Sequence, residues 1–290
     1  PAELAKALGV SGTWSKAFGK RAEQFFTSWY FARYVDALAA AGKAEKNLPV
    51  YINAALGDAF GDESGNVGPS GGPNWNALPV WRAAAAHVDA YAPDIYTRDP
   101  AAVAKFLERY SADRAPLLVP ELGNAAEYAR FVWPSLGQGA VLYAPFGIDG
   151  TGYANYPLGA KRVDDELIEA FAAPYRLLAP AAREWAAIAR DHPIWGTARG
   201  KDAADQSTTM GRWKITAQYG RWSFGEDDWT WIARDPHPLA DVPVGGTLVA
   251  QLGPDSFLVT GTDVRVRLAL VAPAKGEAAQ IIEAQEGHFA

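Results

Sequence analysis

Glu121 is the residue of this sequence best placed to do chemistry. Residues 115–124 read A-P-L-L-V-P-E-L-G-N. The unbroken apolar run Leu117-Leu118-Val119 suits a strand buried on both faces, as in a parallel sheet covered by helices. Glu121 then falls at the carboxyl end of that strand, the edge at which open α/β sheets and (β/α)8 barrels bind ligands. A Glu there is a candidate catalyst, or else a cap for the helix that follows Gly123-Asn124 or a partner for an arginine. Other polar groups close similar runs. Asn53 lies near the end of L-P-V-Y-I-N-A-A (Leu48 to Ala55), and Asp94 and Tyr96 end V-D-A-Y-A-P-D-I-Y (Val88 to Tyr96). On one rim, Asn53 and Asp94 would hold hydroxyl groups of a polar ligand; Asp94 could instead bond only the backbone amides of its own turn. His87 precedes a strand and reads as structural.

The elements that must position these groups alternate. Aromatic residues from Phe25 to Tyr34 recur near helical spacing, with Gly42 as a stop signal. The first strand, a loop and a short helix from Ala77 to His87 follow. Asp99-Pro100 caps and opens a helix to about Tyr110. After the Glu121 strand come a helix through Tyr128 and Phe131 ending near Pro134, a fourth strand at Ala140 to Phe146, and helices from Val163 and Pro180. Four βα units of this kind predict a parallel sheet. Residues 1–20 show no capping or strand logic. The loop from Gly57 to about Asn76 contains G-N-V-G-P-S-G-G-P-N-W-N and is longer than compact domains usually keep without a function. Trp75, between two asparagines, offers either a stacking face or an anchor to the core. Beyond His192-Pro193 helical periods vanish. Thr247 to Leu252, Phe257 to Thr260 and Val264 to Val271 alternate or run apolar between turns, which predicts antiparallel strands. The expected division is 1–192 and 193–290.

Composition narrows the function. The 290 residues are 49% hydrophobic and 21% charged, enough for a large core. A net charge of -6 without a basic stripe argues against nucleic acid. The absence of cysteine excludes disulfides, zinc–thiolate sites and thiol nucleophiles. No apolar run is long enough to span a bilayer, and neither a metal nor a cofactor is expected.

S-W-Y-F-A-R-Y-V-D-A-L (Ser28 to Leu38), L-P-V-Y-I-N-A (Leu48 to Ala54), G-P-S-G-G-P-N-W (Gly68 to Trp75), Y-A-P-D-I-Y (Tyr91 to Tyr96) and V-P-E-L-G-N (Val119 to Asn124), in this order, resemble bacterial β-galactosidases of glycoside hydrolase family 35 and the related family 42. The likeness covers most of the chain and is closest to the subgroup whose barrel is followed by a β-sandwich. It implies an α/β fold, a (β/α)8 TIM barrel of which this chain holds the second half, strands five to eight, followed by an all-β sandwich domain. It implies Glu121 as the nucleophile ending the seventh strand and Tyr96 as the sixth-strand tyrosine that bonds it. The family's Asn-Glu acid/base dipeptide is absent from the 290 residues. The expectation is therefore a portion of a longer polypeptide, or two chains completing one barrel.

The resemblance further implies retaining hydrolysis of a β-linked galactoside, with Glu121 attacking the anomeric carbon and a second carboxyl serving as acid and base. Asn53 and Asp94 would bind sugar hydroxyls, and Trp75, Trp133 and Phe146 are candidates for a stacking platform, with at least one of the three expected to be ordinary core. The alternatives are a catalytically incomplete carbohydrate-binding protein or a β-glycosidase for another sugar. A homo-oligomer is possible, and a periplasmic or secreted location is favoured over the cytoplasm.

Overall fold

The structure is a computed structural model of the chain. It describes residues 1–61, 71–111, 116–148, 154, 156–200, 202, 204–220 and 244–287. Residues 68–70 of the Gly-rich motif, Ala115, and Trp222, Trp229 and Trp231 lie outside the described residues. The fold mixes helices and parallel sheets with antiparallel sheets. It divides into two compact units, one of Pro1–Gly123 and Ala140–Phe146, the other of Asn124–Gly139 and Gly147–Ala290.

The first unit opens with two short helices, α1 (Ala2–Leu8) and α2 (Trp14–Phe18). The reading of residues 1–20 as showing no capping logic is thereby corrected, and the reason is local. Gly9 ends α1 in the left-handed conformation at φ 63°, which glycine adopts without penalty, and Thr13 caps α2 by accepting from the Lys16 backbone N–H. The long helix α3 (Ala22–Glu45) buries Phe25, Ser28, Trp29, Ala32, Asp36 and Ala39 on one side, packed on α4 (Leu78–Ala84). Phe26, Tyr30, Tyr34 and Leu38, spaced four apart, stay exposed on the other.

The strands of this unit are β1 (Tyr51–Ala55), β2 (Ala90–Ile95), β3 (Leu117–Val119), β4 (Glu121–Leu122) and β5 (Ala140–Tyr143), with α5 (Pro100–Ser111) between β2 and β3. All their pairings are parallel: β1 with β2, β2 with β4, and β3 with β5. β3 and β4 are one extended run broken at Pro120, which has no N–H to give the ladder. The first half pairs with β5 and the second with β2. Backbone bonds carry the pattern past the strand ends, with Ala144 N–H donating to Val119 O, Phe146 N–H to Leu122 O and Gly123 N–H to Ile95 O. Burial along β2 is almost continuous, as parallel strands require.

The second unit holds α6 (Val132–Gly137), α7 (Asp165–Leu178) and α8 (Ala182–Asp191) with two three-stranded antiparallel sheets. One sheet orders β10 (Ser256–Thr262), β9 (Gly246–Gly253) and β6 (Ile194–Ala198); the other orders β11 (Val264–Leu270), β8 (Trp213–Tyr219) and β7 (Gln206–Met210). Met210, Ile215 and Val249 form a buried cluster shared by the two sheets, with Trp195, Phe257, Val266 and Leu268 against it. On β11 Arg267 is exposed, while Arg265, two residues before it and expected on the same wet face, is half-buried.

α6 packs on β6 and β9, so the helices after Asn124 group with these strands. The composition break at Pro193 marks a change of element type, while the division by packing falls elsewhere. Pro134 does not end its helix as expected. It sits in the first turn of α6, where a missing N–H costs no internal bond.

Candidate active site

Strand register brings four of the expected residues together at the carboxyl ends of β1, β2 and β4. Ala55 lies opposite Asp94, and Asp94 opposite Glu121. Asn53 precedes Ala55 by two, and Tyr96 follows Asp94 by two, so the period of two puts all of these side chains toward one face. The Asn53 amide Nδ2 donates to Asp94 Oδ1 at 3.0 Å and to Glu121 Oε1 at 3.1 Å. The Tyr96 hydroxyl donates to Glu121 Oε2 at 2.9 Å. Each oxygen of Glu121 is thus held by one donor on a different strand or strand end.

Burial, and then the neighbouring Glu121 carboxylate, push Asp94 up to about 7, against the opposing bond from Asn53. Tyr110 on α5 is raised as well, chiefly by burial and also by Asp94, and its hydroxyl donates to Pro73 O at 2.8 Å.

The aromatic residues part company. Phe146 is 40% exposed just beyond β5, with its backbone bonded to Leu122. Trp75 is buried, and both its handles are taken: Nε1 donates to Asp58 O at 3.0 Å, and the Arg109 guanidinium lies 3.3 Å from its ring centroid. Its face is closed to a sugar, and it anchors the loop to α5. Trp133 is fully buried in the second unit, where a Cβ on Gly246 would come within 2.0 Å of its ring. Both are corrections to the stacking expectation, for the same reason: the flat faces that suit a sugar also suit a close-packed interior.

A cavity of about 250 Å³ lies at the opposite, amino end of β2, lined by Arg82, Val88, Asp89, Tyr91 and Tyr110 among others. None of the Glu121 group lines it. His87 accordingly does structural work, its backbone N–H donating to Asp36 Oδ1 at 2.8 Å with Nδ1 3.0 Å from the same atom. Among the described residues there is no group of three or more His, Asp or Glu side chains arranged to hold a metal, and no helix is long and apolar enough to cross a membrane.

Residues 171–290 match the model of a domain of unknown function, DUF5597. The match begins inside α7 and runs through both antiparallel sheets, entirely outside the unit that carries Glu121. No curated protein matches the chain.

The bridging role of Asn53 is the feature that sequence reasoning missed. Its signal was positional: Asn53, Asp94 and Glu121 each stand at the end of a strand-like run, and three parallel strands in register set such positions side by side.

Proposed function

We propose that this chain carries the nucleophile of a retaining β-glycosidase, with a β-galactoside as substrate. The observation that carries the reading is Glu121 at the carboxyl end of a parallel strand, with one oxygen bonded by Tyr96 and the other by Asn53. A carboxylate with each oxygen already bonded is oriented before substrate arrives, and attack on an anomeric carbon needs that orientation. Asp94 and Phe146 stand at the same strand ends, one able to meet sugar hydroxyls and the other to stack.

In this reading the four parallel runs are the fifth to eighth strands of a (β/α)8 barrel, and the antiparallel sheets form a β-sandwich. β1 pairs on one side only among the described residues, which leaves an edge for further parallel strands. The acid/base carboxyl belongs to that remaining part of the barrel.

The test is covalent trapping. A 2-deoxy-2-fluoro-β-galactoside with an activated leaving group should label one peptide, and its mass should place the sugar on Glu121. Labelling at any other residue overturns the assignment. A gluco- or manno-configured reagent that labels Glu121 faster would keep the mechanism and change the sugar.

A further inference from the structure

A primary amide has two N–H bonds, and both on Asn53 are used, one on each carboxyl. The Asp94 bond therefore fixes the plane of the amide that holds Glu121 Oε1. Two ionised carboxylates sharing that amide would repel each other and compete for its hydrogens. The groups facing Asp94 are Glu121 from β4, Asn53 from β1 and Tyr110 from α5, with Tyr96 on the far oxygen of Glu121. None of these four brings a positive charge.

We infer that Asp94 is a positioning residue for Glu121: kept neutral, it locks the Asn53 amide in place and leaves Glu121 as the single negative charge of the cluster. Burial and the Glu121 charge act on Asp94 in the direction this requires, raising it to about 7. The inference rests on the glycosidase reading for what Glu121 does. The pairing itself does not.

The experiment has two arms. In the first, the protein is labelled with ¹³C at aspartate Cγ and titrated by NMR. Asp94, assigned by its loss in Asp94→Asn, should titrate near 7, and in Glu121→Gln its midpoint should fall because one of the two raising causes is gone. A midpoint near 4, or one unmoved by Glu121→Gln, overturns the pairing.

In the second arm, the full-length enzyme, in which the rest of the barrel supplies the acid/base carboxyl, is assayed on an aryl β-galactoside. Asp94→Ala frees the Asn53 amide and should lower kcat about 10- to 100-fold with a smaller change in KM, the scale of a nucleophile displaced by about 1 Å. Asp94→Asn keeps an acceptor for Asn53 and carries no charge, so it should recover most of the kcat lost in Asp94→Ala and hold that value from pH 6 to pH 8, where wild type declines. If Asp94→Ala keeps wild-type kcat, or if Asp94→Asn is as damaged as Asp94→Ala, the positioning role is wrong; the second result would make the ionisable carboxyl itself a reacting group. A full-length enzyme that hydrolyses no aryl glycoside would overturn the functional reading and with it the role assigned to Glu121, while the titration would still decide the Asp94–Glu121 pairing.

Discussion

Replacing Asp94 by Asn should make the protein more stable, and only above a certain pH. The carboxyl ordinarily titrates near 3.8, and in the fold it is raised to about 7. A group whose folded-state pKa is raised contributes stability that is complete below the unfolded value and is lost as pH rises through the folded value. Below about pH 4 the Asp94 carboxyl is protonated, and the amide that replaces it in Asp94→Asn is uncharged at every pH, so the two proteins should melt together there. Above pH 7 the wild type carries a charge that its surroundings resist, and the variant does not. A rise of about three units corresponds to about 4 kcal/mol at full strength. The side chain is only partly buried and solvent screens it, so about 1 to 2 kcal/mol is the expected difference. For a chain of this size that is a gain of about 2 to 6 °C in melting temperature. The assay is a pair of thermal melts by circular dichroism at each pH from 4 to 8. Asp89, Glu169, Asp191 and Asp255 are held low, chiefly by hydrogen bonds from Lys43, Arg176, Arg190 and Trp213 respectively, and their titrations are common to both proteins and cancel in the difference. A difference that stays flat with pH, or grows toward acid, would refute the reasoning.

In the full-length enzyme, Glu121→Gln should leave the melting temperature within about 2 °C of wild type, since the side chain is nearly isosteric at a strand end, while turnover of an aryl β-galactoside falls by orders of magnitude. Tyr96→Phe removes one of the two bonds to Glu121 and should lower kcat more than it changes KM, as steady-state kinetics on the same substrate would register. Gly246→Ala would set a methyl group against the Trp133 ring and should cost about 1 to 3 kcal/mol in urea unfolding, without touching the Glu121 cluster. Trp75→Ala should destabilise by about 3 to 5 kcal/mol in the same measurement, because a buried indole bonded to Asp58 and stacked under Arg109 is lost. Phe146→Ala should do the reverse, raising KM for the galactoside with little change in stability, since its ring is 40% exposed.

Much of the first unit was legible because its strands declare themselves locally. Leu117 to Val119 is an apolar run closed by a Pro-Glu step, and Asp99-Pro100 announces α5 in two residues. What lay beyond sequence reasoning was pairwise. That Asp94 faces Glu121 depends on the register of β2 against β4, which packing sets across 27 residues of chain. That Trp75 is closed depends on Arg109 and Asp58, and nothing in the sequence beside Trp75 or Phe146 separates the closed ring from the open one. Residues 1–20 failed for a different reason. Gly9 and Gly19 read as breaks and the cap at Thr13 carries no visible pattern, yet each is a helix terminus signal, and short helices give too few turns for a period to show. The division near Asn124 was hidden too, because helices that cover a parallel sheet and helices that pack on antiparallel strands use the same apolar spacing. The Glu121 cluster sits where these two kinds of information meet. Each member is announced by its own strand end, but its chemistry arises only when three strands align, since one asparagine can bridge two carboxyls only at the spacing that neighbouring parallel strands impose.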